Sequence, residues 1–181
     1  TDIHATKDHE FICFHDFTLN RIFNKKDSVK NLNYSQIKKI SIQNKNPVPL
    51  LKDLLKTSKN KYDLFIEIKP TFSKLLLKKL LKETAKFSKC TFISFKHKNI
   101  YNLLKLKNNL KVGLSFAPPT SVKSIIKKSN NKKINCLIMD KFYLKSKSIQ
   151  DLKIKKYFYT VKTKLEFNKF NKNNNLIFEN L

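Results

Sequence analysis

The segment Leu64-Phe65-Ile66-Glu67-Ile68-Lys69-Pro70 sets two ionisable residues among apolar ones at strict alternation. Successive side chains of a strand point to opposite faces. If Ile66 and Ile68 face a layer of helices, Glu67 and Lys69 face the other way, toward the middle of a sheet. A buried carboxylate and ammonium are costly unless paired, hydrogen-bonded or bound to a ligand. Two readings follow: a structural ion pair, or a metal-ligating Glu67 with a phosphate-neutralising Lys69. The end of a strand, just before Pro70, is where barrel folds place functional groups. Phe14-His15-Asp16 is a second candidate, since a histidine near neutral pH suits proton transfer.

The elements that must position these residues are legible as short apolar runs alternating with amphipathic, lysine-rich stretches. Strands are expected at Asp2–Ala5, Phe11–Phe14, Leu64–Ile68, Thr91–Phe95, Val112–Phe116, Cys136–Met139, Tyr157–Val161 and Leu176–Phe178. Helices are expected at Ser73–Lys86, Lys98–Lys107, Ser121–Lys128, Ser148–Lys153 and Lys164–Asn171, the last running into the Lys/Asn-rich stretch Asn168–Asn175. Leu75, Leu76, Leu80 and Leu81 recur at helical spacing with lysines on the other face, as in a helix packed on a sheet. This alternation predicts βα units and a parallel sheet. Only Thr6–Glu10 separates the first two strands, too short for a parallel crossover, so they form a hairpin. The hairpin returns His15 and Asp16 to the level of Asp2. Carboxylates at Asp2 and Glu67 suit a hard cation, Mg²⁺ or Ca²⁺; with His15 they would make a metal-assisted phosphoester site. Residues 17–63, with helical runs at Tyr34–Ile40 and Leu50–Leu55, read as an excursion over one end of the sheet.

Composition bounds the function. The 181 residues suffice for one domain with a sizeable core. Thirty-nine basic residues against thirteen acidic ones give a net charge of +26. Such a field attracts phosphates. Arg21 is nevertheless the only arginine, and arginine is favoured for bidentate phosphate and base contacts. The lysines are spread along the chain amid abundant Asn and Ile, as an AT-rich genome produces. No specific nucleic-acid site is expected, and the field favours an anionic small-molecule substrate. No run reaches the roughly 18–20 apolar residues of a membrane span, and no signal-peptide pattern opens the chain. Cys13, Cys90 and Cys136 show no CxxC spacing, which fits reduced cytoplasmic thiols.

These residues resemble the glycerophosphodiester phosphodiesterase family, in its compact bacterial cytoplasmic branch. Asp2, Thr6-Lys7-Asp8, Phe11-Ile12-Cys13-Phe14-His15-Asp16 and Leu19-Asn20-Arg21 match the family's pattern in order and spacing. Pro47-Val48-Pro49-Leu50-Leu51, Ile66-Glu67-Ile68-Lys69-Pro70, Ile93-Ser94-Phe95 and Tyr159-Thr160-Val161 resemble its later segments. The resemblance implies a (β/α)8 TIM-type barrel of the phosphoinositide-phospholipase-like kind, a single domain over residues 1–181 with 17–63 as its inserted subdomain. It implies hydrolysis of glycerophosphodiesters to an alcohol and sn-glycerol 3-phosphate in phospholipid catabolism. By carry-over, Asp2 and Glu67 ligate the divalent cation, His15 is one of two acid/base histidines, and Lys69 contacts phosphate.

Departures from the family set further expectations. The chain begins at Thr1 without an initiator Met and reads as a piece of something longer. The family's first strand, with its His-Arg-Gly, has no counterpart here. Residues 1–181 alone are therefore expected to turn over little substrate, and the open sheet edges to favour association of copies into a homo-oligomer. Lys162 stands where the family has Asn, and Phe178-Glu179-Asn180 replaces a final Thr-Asp. These replacements leave open a catalytically impaired barrel that binds phosphodiesters, and the charge leaves open a polyanion-binding protein. His4 shares a strand face with Asp2 but occupies a position that the family does not use. His9 is expected exposed in the hairpin turn, where the family often has Gly. His97, which follows Ser94-Phe95, reads more readily as structural than as a residue bordering the pocket, and Cys13 is expected to be buried as a small apolar residue.

Overall fold

A computed structural model describes residues 1–170 and 173–179. The first strands are β1 (Asp2–Ala5) and β2 (Phe11–Cys13), followed by helices α1 (Asn20–Phe23), α2 (Tyr34–Gln43) and α3 (Leu51–Ser58). Strand and helix then alternate: β3 (Leu64–Ile68), α4 (Lys74–Glu83), β4 (Cys90–Ser94), α5 (His97–Leu106), β5 (Val112–Phe116) and α6 (Val122–Ser129). The last units are β6 (Cys136–Asp140), α7 (Lys147–Gln150), β7 (Lys155–Val161), α8 (Lys164–Phe170) and β8 (Asn175–Phe178). Short 3₁₀ turns, which periodicity does not reveal, cover Val29–Asn31 and Lys141–Lys145.

The eight strands form one curled sheet in the order β2-β1-β3-β4-β5-β6-β7-β8, the architecture of a (β/α) barrel. Only the β1–β2 pair is antiparallel. Among the described residues, no pairing joins β8 to β1 or β2. The hairpin closes through Thr6, whose N–H donates to the Glu10 carbonyl at 2.9 Å. His9 holds a left-handed backbone (φ 62°) on its exposed tip, the conformation that glycine adopts without steric cost.

The helix-facing side of the sheet holds the main core. Ile3, Ile66, Ile68, Val112, Leu114 and Leu137 pack there against Leu77, Leu80, Ile100, Leu103 and Ile125, all fully buried. Local signals set the helix ends. Ser73 and Ser121 accept hydrogen bonds from the N–H groups of Leu76 and Ser124, capping α4 and α6. At the other end Thr84 stops α4 three residues before the expected Lys86, its hydroxyl donating to the Leu80 carbonyl. Helix α7 is a single turn, Lys147–Gln150, where Ser148–Lys153 was expected. The last helix is described to Phe170; Asn171 lies outside the described residues. Within residues 17–63, Leu19, Phe23, Val29, Ile37 and Val48 form a second, smaller cluster with Ile12 and Leu50.

Candidate active site

Parallel pairing of β1 with β3 sets Asp2 directly opposite Glu67 and Ile3 opposite Ile68. The isoleucines face the helices, so both carboxylates face inward, Glu67 near the C-terminal end of β3 and Asp2 at the start of β1, level with it. Lys69 follows two residues after Glu67 on the same face, its N–H donating to the Ile3 carbonyl at 3.3 Å. Its Nζ lies 2.9 Å from Glu67 Oε1 and 3.6 Å from Asp2 Oδ1. The side chains of Glu67 and Lys69 are 14% and 13% exposed. Glu67 Oε1 is buried, with the Lys69 ammonium as its charged partner. Burial pushes the Glu67 carboxyl above its usual range, while neighbouring Lys69 pulls the other way.

A buried carboxylate oxygen beside a second carboxylate fits a hard divalent cation. Among the described residues, no group of three or more His, Cys, Asp or Glu side chains is placed to cage an ion. Asp2 and Glu67 would therefore hold a cation that keeps several positions for water or substrate oxygens, as Mg²⁺ commonly does.

The hairpin returns His15 to this end of the sheet, because Phe14 N–H donates to the Asp2 carbonyl at 3.0 Å. The imidazole is exposed, and its Nδ1 lies 2.7 Å from Asp16 Oδ1. Arg21 grips the same carboxylate, donating from Nε at 2.7 Å and from a terminal nitrogen at 3.1 Å. These contacts, Arg21 first and His15 second, hold the Asp16 carboxyl down at about 2. A carboxylate so firmly ionised only accepts, so Nδ1 of His15 carries the proton and Nε2 is left to accept or deliver one. The clamp by Arg21 went unread in sequence; its signal is that this is the sole arginine.

Other candidates separate from this group. His97 does not border the pocket. Helix α5 starts at that residue and turns its ring to the outer side, where it meets Phe116 edge-on. Nε2 donates to the Ser115 carbonyl at 2.9 Å and Nδ1 accepts from Lys128 at 2.9 Å. His4 is buried, donates from Nε2 to the His15 carbonyl at 3.2 Å and stands edge-on to Phe17. Burial lowers its pKa. Cys13 is half-buried against the helix-side core, and burial pushes its thiol up. Lys162 is exposed and donates its backbone N–H to Glu166, which also pairs with Lys141. Asn180 lies outside the described residues.

Behind the charged group the inner face is lined by Phe65, Ile93, Cys136, Ile138, Tyr157, Tyr159 and Ile177. Tyr159, which drew no role from sequence, donates its hydroxyl to the Phe116 carbonyl at 3.0 Å and packs against Phe95. A cavity of about 980 Å³ opens at the other end of the strands among Phe65, Thr91, Cys136 and Tyr157. It contains neither Asp2, Glu67, Lys69 nor a histidine, so cavity size does not mark the chemistry here.

Comparisons with known proteins identify a family and similar folds. A model described as the glycerophosphoryl diester phosphodiesterase family matches residues 1–176. No curated protein matches the chain significantly. Among solved structures, a glycerophosphodiester phosphodiesterase from Thermotoga maritima is similar in fold (TM-score 0.77, 17% identity), covering 98% of this chain and 79% of that one. One from Parabacteroides distasonis gives a TM-score of 0.71 at 19% identity, covering 98% and 76%. A phosphodiesterase from Oleispira antarctica, solved with the product sn-glycerol-3-phosphate, gives 0.76 at 13% identity, covering 98% and 78%.

Proposed function

The chain belongs to the glycerophosphoryl diester phosphodiesterase family, a family of phosphoric diester hydrolases, and on that premise we propose that it hydrolyses glycerophosphodiesters to an alcohol and sn-glycerol 3-phosphate. The observation that carries this reading is the buried Glu67 carboxylate between Asp2 and Lys69, at the C-terminal end of β3 and level with the start of β1. Apart from binding an anion and a cation together, little would stabilise so costly an arrangement.

In the proposed reaction the P–O bond to the alcohol breaks, the leaving oxygen gains a proton, and water supplies the oxygen gained by phosphorus. Asp2 and Glu67 would hold Mg²⁺ or Ca²⁺, which would supply neutralisation of phosphoryl charge. Lys69 binds another phosphoryl oxygen, and its positive charge offsets the negative charge that develops there. His15 exchanges the proton through Nε2, with Asp16 and Arg21 fixing its tautomer. Three free thiols fit a reducing, cytoplasmic setting, in which the reaction would serve phospholipid breakdown.

The test is release of glycerol 3-phosphate from glycerophosphocholine by the full-length polypeptide, with and without chelator. Chelator-sensitive release that falls by about a hundredfold or more in Glu67→Gln and His15→Ala is expected. Release that persists undiminished in Glu67→Gln or in chelator would overturn the assignment. Tight binding of glycerophosphocholine without release would move the chain to the binding-only reading.

A further inference from the structure

Large apolar side chains are left exposed unevenly over this molecule. Among the described residues they are Phe17, Ile42, Tyr62, Leu75, Phe142, Leu165 and Phe178. Ile42 lies in α2, and Tyr62 at the entry to β3 on the opposite end of the sheet. The other five belong to the catalytic end. Leu75, Phe142 and Leu165 sit in the turns that follow β3, β6 and β7, and Phe178 ends β8. Phe17 follows His15 and touches the His4 ring. Phe142 is 70% exposed and Leu165 80%. Their turns are joined by the Lys141–Glu166 ion pair. Beside them is a cavity of about 580 Å³ with a mixed lining, apolar at Val122, Phe142, Leu144 and Phe170 and charged at Asp140, Lys141, Lys145 and Glu166.

The same rim is positively charged. Lys74 and Lys164 immediately precede Leu75 and Leu165, while Lys141, before Phe142, is paired with Glu166 in the first turn of α8. The N-termini of α4, α5 and α6 point to this end, and none has an acidic residue in its first turn. Their dipoles therefore add positive potential that nothing in the helix offsets. An apolar rim set in basic surface meets both requirements of reversible binding to a negatively charged bilayer, namely insertion of side chains and attraction to headgroups. A nucleic acid would use the lysines but leave the exposed Phe142 and Leu165 unexplained.

We propose that the catalytic end of the sheet docks on an anionic lipid surface, with Phe142 and Leu165 entering the headgroup layer and the rim lysines facing acidic lipids. Docking is independent of the catalytic reading, since it is read out by binding alone. The chain has no tryptophan, so Phe142→Trp provides a single reporter. The experiment is co-sedimentation with vesicles of equimolar phosphatidylglycerol and phosphatidylcholine, and with phosphatidylcholine alone. Tyr62, 67% exposed and preceded by Lys61, is the internal control.

Binding is expected to the anionic vesicles only. Phe142→Ser/Leu165→Ser should weaken it at least tenfold while Tyr62→Ser leaves it unchanged. Emission from Phe142→Trp should shift to the blue on those vesicles, and that from Tyr62→Trp should not. Both altered side chains are exposed, and circular dichroism checks that the variants fold. Equal binding by the double variant and by Tyr62→Ser would overturn the proposal. It would also be overturned by an unshifted Phe142→Trp, or by tight binding to duplex DNA with none to vesicles.

Discussion

The two sides of this sheet are built from the same strands yet follow opposite rules. On the helix side, Ile66 and Ile68 are fully buried in a continuous aliphatic core that includes Ile3, Leu103, Leu114 and Leu137. On the inner side, one residue away along the same strand, Glu67 and Lys69 meet across 2.9 Å, and the remaining cluster is small and only partly closed. The outer side satisfies packing and leaves almost nothing unmet. The inner side retains a buried ion pair and an unpartnered Ser115 Oγ, which a domain selected only for stability would rarely keep. Stability and chemistry are thus divided between faces, and the period of two along a strand does the dividing.

Three stability measurements can break or sharpen that division. The largest effect should come from the outer face, where Ile66→Ala removes side-chain volume from a core that cannot collapse. Urea unfolding should show a loss of roughly 2–5 kcal/mol; a loss similar to that of an inner-face change would remove the contrast. Gly113→Ala comes next. It lies on the inner face of β5, and an added Cβ would come within 2.6 Å of Cys136 Sγ and 3.0 Å of its carbonyl oxygen. Backbone must therefore move, and overpacking of this kind costs roughly 1–3 kcal/mol. Thermal melts that match the parent would show the inner layer to be loose enough to absorb a methyl group.

Glu67→Gln should have the smallest effect on stability, despite abolishing the proposed chemistry. Burial raises the Glu67 pKa in the folded state, so its contribution favours folding at acid pH and is lost as pH rises through the folded-state pKa. At pH 7 the buried carboxylate is a net burden on the fold. The amide should therefore not lower the melting temperature there, and any gain should shrink as the pH falls toward the carboxylate range. A marked loss at pH 7 would mean that the pair with Lys69 is structural after all.

Much of this architecture was legible from local pattern, because local pattern caused it. Alternation in Leu64–Ile68 placed Glu67 inward, and the short Thr6–Glu10 link dictated a hairpin that brought His15 back beside Asp2. Boundaries slipped where capping, not hydrophobic period, decides them, as at Thr84 and in the single turn of α7. His97 takes the structural role that the sequence favoured. Its proximity to Ser94 and Phe95 in sequence allows a place at the pocket, but the helix begins there and carries the ring to Ser115 and Lys128 on the other side.

What the sequence by itself determined, then, is which faces the strand residues take and which segments become strands, since both depend on backbone stereochemistry and on partition of side chains from water. Tertiary structure alone decided that Asp2 stands opposite Glu67 and not one residue off, and that the Lys69 ammonium reaches both carboxylates. It also decided that Arg21 and Asp16 set the histidine's tautomer. Those outcomes depend on distances of a few tenths of an ångström between groups far apart in the chain, which no local propensity encodes.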